Sequence, residues 1–340
     1  MFHKLYKAFS NDIGIDLGTA NTLVYLRNQG IVINEPSVVV VNTKTGQIIA
    51  VGAAAKQMLG RTPAHIRAVQ PVVDGVISDF EVTEEMLSYL IQKTEKISKK
   101  FFRPRVVVGV PTAITNVETR AVYDAAMSGG AREVYIVEEP MAAAIGVRLP
   151  VKDAIGSVIV DIGGGTTDIA VIALGGIVRS KNLRVAGDKL NEDIVTFMRD
   201  EFKLLVGVKT AESIKISLGN ALPGEMIEAP IRGRDLVTGL PREIIINDTD
   251  VRAAIMQSLI SIVEATKEVL ETTPPELLSD VIHRGVVLSG GGALIRGFDQ
   301  LLSSAIKIPV YVADDPLTAV ARGTGVILDD LDYYKEVSVS

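Results

Sequence analysis

The stretch VDIGGGTTDIAVI, Val160–Ile172, decides how this chain is read. An apolar run ends in Asp161, a turn of glycines and threonines follows (Ile162-Gly163-Gly164-Gly165-Thr166-Thr167), and a second apolar run begins at Ile169. The pattern predicts two strands, Ser157–Asp161 and Ile169–Ile172, closed into a hairpin by the turn. A hairpin of the same register lies near the amino terminus, where Ile13–Asp16 and Thr22–Leu26 flank Leu17-Gly18-Thr19-Ala20-Asn21. Each reads apolar strand, aspartate, apolar residue, glycine, and the two stand a domain's length apart. The repetition predicts a duplicated α/β unit.

Outward from the hairpins, Val106–Val110 reads as a buried strand. It leads through Pro111 to a helix near Val117–Met127, opened by the capping box Thr115-x-x-Glu118 and closed by Gly129-Gly130. A further strand is predicted at Glu133–Val137. Late in the chain, Gly285–Leu288 runs into a third turn, Ser289-Gly290-Gly291-Gly292-Ala293, and then a segment starting near Leu294. The fold class that suits these elements is α/β, with two similar domains facing one another across a cleft.

A phosphate chain needs several N–H donors converging on it, and glycine allows the close backbone approach this requires. A single glycine-rich turn is more often just a tight hairpin. Three of them, two in duplicate, point to phosphate. Asp16 and Asp161 stand at strand ends beside the first two turns, and carboxylates repel bare phosphate. Their presence implies a divalent cation between, Mg²⁺ held largely through water. The hydroxyls of Thr19, Thr166 and Thr167 add donors. Neither G-x-x-x-x-G-K-[ST] nor G-x-G-x-x-G occurs, which excludes the P-loop and dinucleotide-binding classes.

With 340 residues, 47% apolar and 22% charged, the chain is long enough for two globular domains. The net charge of −6 excludes a nucleic-acid binder working through one broad basic face. There is no cysteine, hence no disulfide, thiolate metal site or cysteine nucleophile. No apolar run reaches the roughly 18 residues a bilayer crossing needs, and the amino terminus has no secretory pattern. A cytoplasmic location is expected. His3, His65 and His283 show no ligand spacing.

The runs DIGIDLGTANT (Asp12–Thr22), VDIGGGTTDIAVI and LSGGGALIRG (Leu288–Gly297) resemble the first phosphate, second phosphate and adenosine motifs of the actin, sugar-kinase and Hsp70 superfamily. NEPSVV (Asn34–Val39), DGVISDF (Asp74–Phe80), EEPMAAAIG (Glu138–Gly146) and TAESIKISLG (Thr210–Gly219) are similar to the MreB family within it. The resemblance implies two actin-like, ribonuclease H-like domains around a nucleotide cleft, each with a smaller inserted subdomain. Residues 1–150 would form lobe I, with an insertion at about 34–75 and a closing C-terminal helix at about 317–335. Residues 151–316 would form lobe II, with an insertion at about 181–249.

The same resemblance implies ATP or ADP with Mg²⁺ as ligands and hydrolysis of ATP. Gly18, Thr19, Ala20 and Asn21 would hold phosphate from lobe I, and Gly163, Gly164, Gly165 and Thr166 from lobe II. Glu139, ahead of Glu138, would orient the attacking water with help from Thr166. Glu212 and Lys215 lie three apart on a helix and by sequence alone read as a surface pair. The resemblance instead turns them to the adenine and ribose, opposite Gly290, Gly291, Gly292 and Ala293.

Members of the family polymerise, in paired protofilaments, on the inner face of the cell membrane, alongside RodZ, MreC and MreD. In Lys99–Arg105 two aromatics, Phe101 and Phe102, sit between basic residues, chemistry that suits an apolar loop tip entering anionic lipid. Core packing of both rings is the competing reading. The leader, with Phe2, Leu5, Tyr6 and Phe9 at helical spacing, is a second candidate anchor, and Glu336–Ser340 reads as a loose tail. A small-molecule kinase and a chaperone-type ATPase of the same superfamily are the alternatives. The chain offers no clear second-substrate site and no large region after the third turn for a peptide-binding domain.

Overall fold

In the computed structural model, which describes residues 12–98, 103–112 and 114–338, the duplicated pattern becomes two five-stranded sheets of the same topology. The first runs Glu133–Glu138, Arg105–Val110, Ile13–Leu17, Asn21–Leu26, Gly30–Pro36. The second runs Val310–Val312, Val286–Ser289, Ser157–Ile162, Thr167–Ala173, Gly176–Leu183. In each, the opening strand of the hairpin pairs antiparallel with its mate and parallel with the strand on its other side. Arg105–Val110, Ser157–Ile162 and Thr167–Ala173 are buried along their whole length, as a sheet covered on both faces requires. The sheets define two lobes.

The hairpin strands extend beyond the lengths predicted from sequence, so each turn is tighter, because Leu17 and Ile162 continue the apolar ladder. The helix after Pro111 spans Asn116–Ser128, and both halves of the capping box between Thr115 and Glu118 are made. Among the described residues three large hydrophobic cores result, beside a small cluster of Val38, Val40 and Ala55. One lies in each lobe, and a third joins them, with Val107 and Val137 from the first sheet, Ile159 and Ile172 from the second, and the helices Glu139–Gly146 and Ala319–Asp329.

Those two helices cross with their backbones touching. A Cβ on Gly323 would stand 1.7 Å from the carbonyl oxygen of Ala142, and one on Gly146 would stand 1.9 Å from that of Ala319. Any larger residue would push the helices apart. Ala319–Asp329 then passes over the first sheet, where Thr324 faces Gly14 and Gly325 lies under the ring of Tyr25. The last long helix thus covers strands formed at the start of the chain.

Each lobe also carries a small sheet. Ile48–Val51, Val39–Asn42 and Ile66–Val69 form one, beside the helix Ala53–Met58. Leu204–Leu205, Glu228–Asp235 and Pro241–Asn247 form the other, beside the helix Val208–Leu218. Gly30–Pro36 and Gly176–Leu183 remain in the main sheets.

The expected loose tail is corrected over its described part. Lys335–Val337 forms a 3-10 turn, Val337 is 7% exposed in the joint core, and Ser338 bridges to Val137. Burial of Val337 holds a segment that by composition looks solvated. Phe101, Phe102 and the leader lie outside the described residues. Among those described, no helix is long and apolar enough to cross a membrane.

Candidate functional site

The two hairpin turns meet. A Cβ on Gly164 would lie 2.7 Å from the Cβ of Ala20, and one on Gly165 would lie 2.6 Å from Thr19 Oγ1 and 2.9 Å from the backbone of Asp74. Only glycine fits there, so the run also serves the close approach of the two turns. Local bonds fix both turns. Ser37 Oγ donates to the Gly18 carbonyl at 2.5 Å, and Asn21 Nδ2 donates to Asn34 Oδ1 at 2.7 Å. The Gly75 amide donates to Thr19 Oγ1 at 3.3 Å. In the second turn Gly163 donates to the Thr166 carbonyl, while the amides of Gly187 and Asp188 donate to the carbonyls of Gly163 and Gly164.

The third turn adjoins the second through the sheet. Ser289 is the register partner of Asp161, and a Cβ on Gly292 would stand 2.1 Å from Ile162 Cγ2. Gly291, Gly292 and Ala293 form a 3-10 turn with Leu294, preceded by Gly290. The glycines named from sequence are therefore brought to one cleft.

Acids line its floor. Burial, then the charge of Asp161, pushes Asp16 up to about 8. Burial also pushes Asp161 up to about 7, opposed by the Ser289 hydroxyl, which donates to its Oδ1 at 2.7 Å. Asp161 is 7% and Glu139 8% exposed. Glu139 opens the helix Glu139–Gly146 and is raised well above the ordinary carboxylate range by burial, then by Asp168, Asp16 and Asp161. Glu138 is raised by burial and by Asp168. Its side chain makes no capping bond.

Among the described residues, none of Asp16, Glu139, Asp161 and Asp168 has a lysine or arginine partner. Nor do three or more acids or histidines there form a cluster that could hold a metal by themselves. Acids under strain from one another, facing amide-rich turns, fit a divalent cation that keeps much of its water, as Mg²⁺ does. Asp16 and Asp161 are the residues that would hold it.

Glu212 and Lys215 both lie on Val208–Leu218, yet the bonds they form are with other residues. Lys215 Nζ donates to the Gly187 carbonyl at 2.8 Å, behind the second turn, and burial lowers its pKa. Glu212 meets Lys56 of the other lobe at 3.4 Å. The i,i+3 surface pair read from spacing forms no direct ion pair; each side chain bonds a tertiary partner, and Glu212 acts on Lys215 through its charge alone.

Four residues of the cleft were not among the sequence candidates: Asp168, Thr112, Ser289 and Asp188. Asp168 is 1% exposed. It accepts from the Thr112 amide at 2.9 Å, from the Thr112 hydroxyl, and from Asn182 Nδ2 at 3.0 Å. An acid inside an otherwise apolar strand was the available signal. Burial raises Asp188, and Lys215 draws it back down.

The family described as MreB/Mbl protein matches residues 10–336. Cell shape-determining protein Mbl of Bacillus subtilis is 50% identical over 325 residues, 95% of this chain and 97% of that protein. Cell shape-determining protein MreB of Escherichia coli is 50% identical over 341 residues, 98% of each. Among solved structures, MreB5 of Spiroplasma citri bound to ADP superposes with a TM-score of 0.90 at 37% identity, covering 96% of this chain and 98% of the other.

Proposed function

The chain belongs to the MreB/Mbl protein family, and from that premise we propose that it is an actin-like ATPase which polymerises on the cytoplasmic face of the cell membrane and governs cell shape. The observation that carries the proposal is the meeting of the Gly18–Asn21 and Gly163–Thr166 turns over Asp16, Asp161 and Glu139. An ADP-bound relative of the same fold and the cell shape-determining relatives support it.

In this reading the amides of the three turns bind the phosphates and nucleoside. Glu212 and Lys215 approach the nucleoside from the helix Val208–Leu218 beside the small sheet of the second lobe. Bound magnesium supplies the positive charge that neutralises phosphate oxygens. Glu139, fixed at a helix start and buried among acids, orients the attacking water. Thr166, 6% exposed, contributes a second contact to that water. Phosphoryl transfer asks for positioning and charge neutralisation more than covalent chemistry.

The polymer, its pairing into double protofilaments, insertion of Phe101 and Phe102 into lipid, and work alongside RodZ, MreC and MreD belong to the same proposal. A kinase would need an acceptor hydroxyl and a second-substrate site, which the cleft residues do not supply. The test is sedimentation and phosphate release with ATP and Mg²⁺ and no acceptor. The wild type pellets and releases phosphate. Glu139→Ala loses about 100-fold or more in turnover with ADP affinity held within a few-fold. A wild type that stays monomeric and releases ADP only with an added acceptor would sink the filament reading.

A further inference from the structure

Asp168 has no assigned task in the proposed reaction, yet it is the most completely bonded acid of the cleft. Its Oδ1 accepts both donors of Thr112, the amide at 2.9 Å and the hydroxyl, and its Oδ2 accepts from Asn182 at 3.0 Å. Thr112 belongs to the first lobe, two residues beyond the strand Arg105–Val110. Asp168 belongs to the second, in Thr167–Ala173. Both are buried, at 3% and 1% exposure, so the contact is unscreened by solvent. By contrast, Lys56 and Glu212, which also join the lobes, each keep about a third of their side chains exposed.

The strand that leads to Thr112 also holds the hydrolytic residue. Val110 is the sheet partner of Glu138, the residue before Glu139, and a Cβ on the neighbouring Gly109 would lie 3.6 Å from Glu139 Cγ. Pro111 in turn lies against Gly75, whose added Cβ would stand 3.2 Å from the methyl of Thr166. A shift of Asp168 with the second lobe therefore pulls the Val110–Thr112 strand end, and with it the residues flanking the expected water.

We propose that Thr112 and Asp168 form a buried clasp between the lobes that positions Glu139 for hydrolysis when the cleft is closed. Thr112 and Asp168 are positioning residues in this account, and touch no phosphate. The inference rests on the ATPase reading above and adds the device that ties lobe closure to chemistry.

The test compares Thr112→Val, which keeps shape and amide but removes the hydroxyl donor, with Thr112→Ser, which restores that donor. Steady-state hydrolysis of Mg-ATP, binding of ADP and thermal melting are measured on the full chain. Thr112→Val is expected to lower kcat about tenfold with KM and ADP affinity within twofold, and Thr112→Ser to return kcat to within twofold of wild type. Wild-type kcat in Thr112→Val would overturn the clasp, as would equal impairment of the two variants. A parallel loss of kcat, ADP affinity and melting temperature would reduce Thr112 to a structural role and overturn it too. A wild type that neither binds nor hydrolyses ATP removes the nucleotide reading itself, an outcome distinct from the others.

Discussion

Asp16 sits where neither a proton nor a bare negative charge is at ease. In the unfolded chain it titrates near ~4, and in the fold it is pushed up to about 8. Between those values the folded state holds a proton that the unfolded state has released, so the nucleotide-free protein loses stability as pH rises through that window. Asp161 acts in the same direction up to about 7. Asp16→Asn should therefore raise the melting temperature of the nucleotide-free protein at pH 8, by ~2 °C or more, and flatten its pH dependence. It should also abolish Mg²⁺-dependent turnover, and a lower melting temperature at pH 8 would contradict the argument. Asp16 and Asp161 were legible in sequence because each ends an apolar run beside glycine. The bond of Thr112 to Asp168 was not, since it joins residues 56 positions apart and exists only once the lobes meet.

Among the elements, the crossing of Glu139–Gly146 with Ala319–Asp329 is the contact least tolerant of change. Gly323→Ala places a methyl against the Ala142 carbonyl and is expected to destabilise by about 1–3 kcal/mol, read from urea unfolding. Because the partner helix begins with Glu139, hydrolysis should fall as well. An unfolding curve superposable on wild type would mean the helices part without penalty. Hairpins, the Thr115 capping box and the crossover strands could all be read from periodicity and turn chemistry, which are local. The helix crossing could not, since Gly146 and Gly323 look like ordinary helix-breakers until Gly146 is seen to clear the carbonyl of Ala319 and Gly323 that of Ala142. The tail escaped for the same reason, as Val337 gains its place only from a core assembled by both lobes.

At the scale of the molecule, duplication was visible in two quoted motifs, whereas the seating of one lobe on the other rests on the joint core and the buried Thr112–Asp168 contact, with Lys56 and Glu212 meeting at the rim. That pair is partly exposed, so Lys56→Ala should change unfolding free energy by less than ~1 kcal/mol, and a larger loss would show the lobes to be held from the rim. Phe101→Ser with Phe102→Ser should weaken pelleting with anionic liposomes and leave ADP binding intact, and undiminished pelleting would remove those rings from the membrane account. The cover that Ala319–Asp329 places over Gly14 and Tyr25 also sets an order of events during synthesis. The strand Ile13–Leu17 is synthesised well before its lid, with most of both lobes between them. Until that helix is made, the first lobe lacks its cover over Gly14 and Tyr25. Any product terminated before Ala319 lacks that cover.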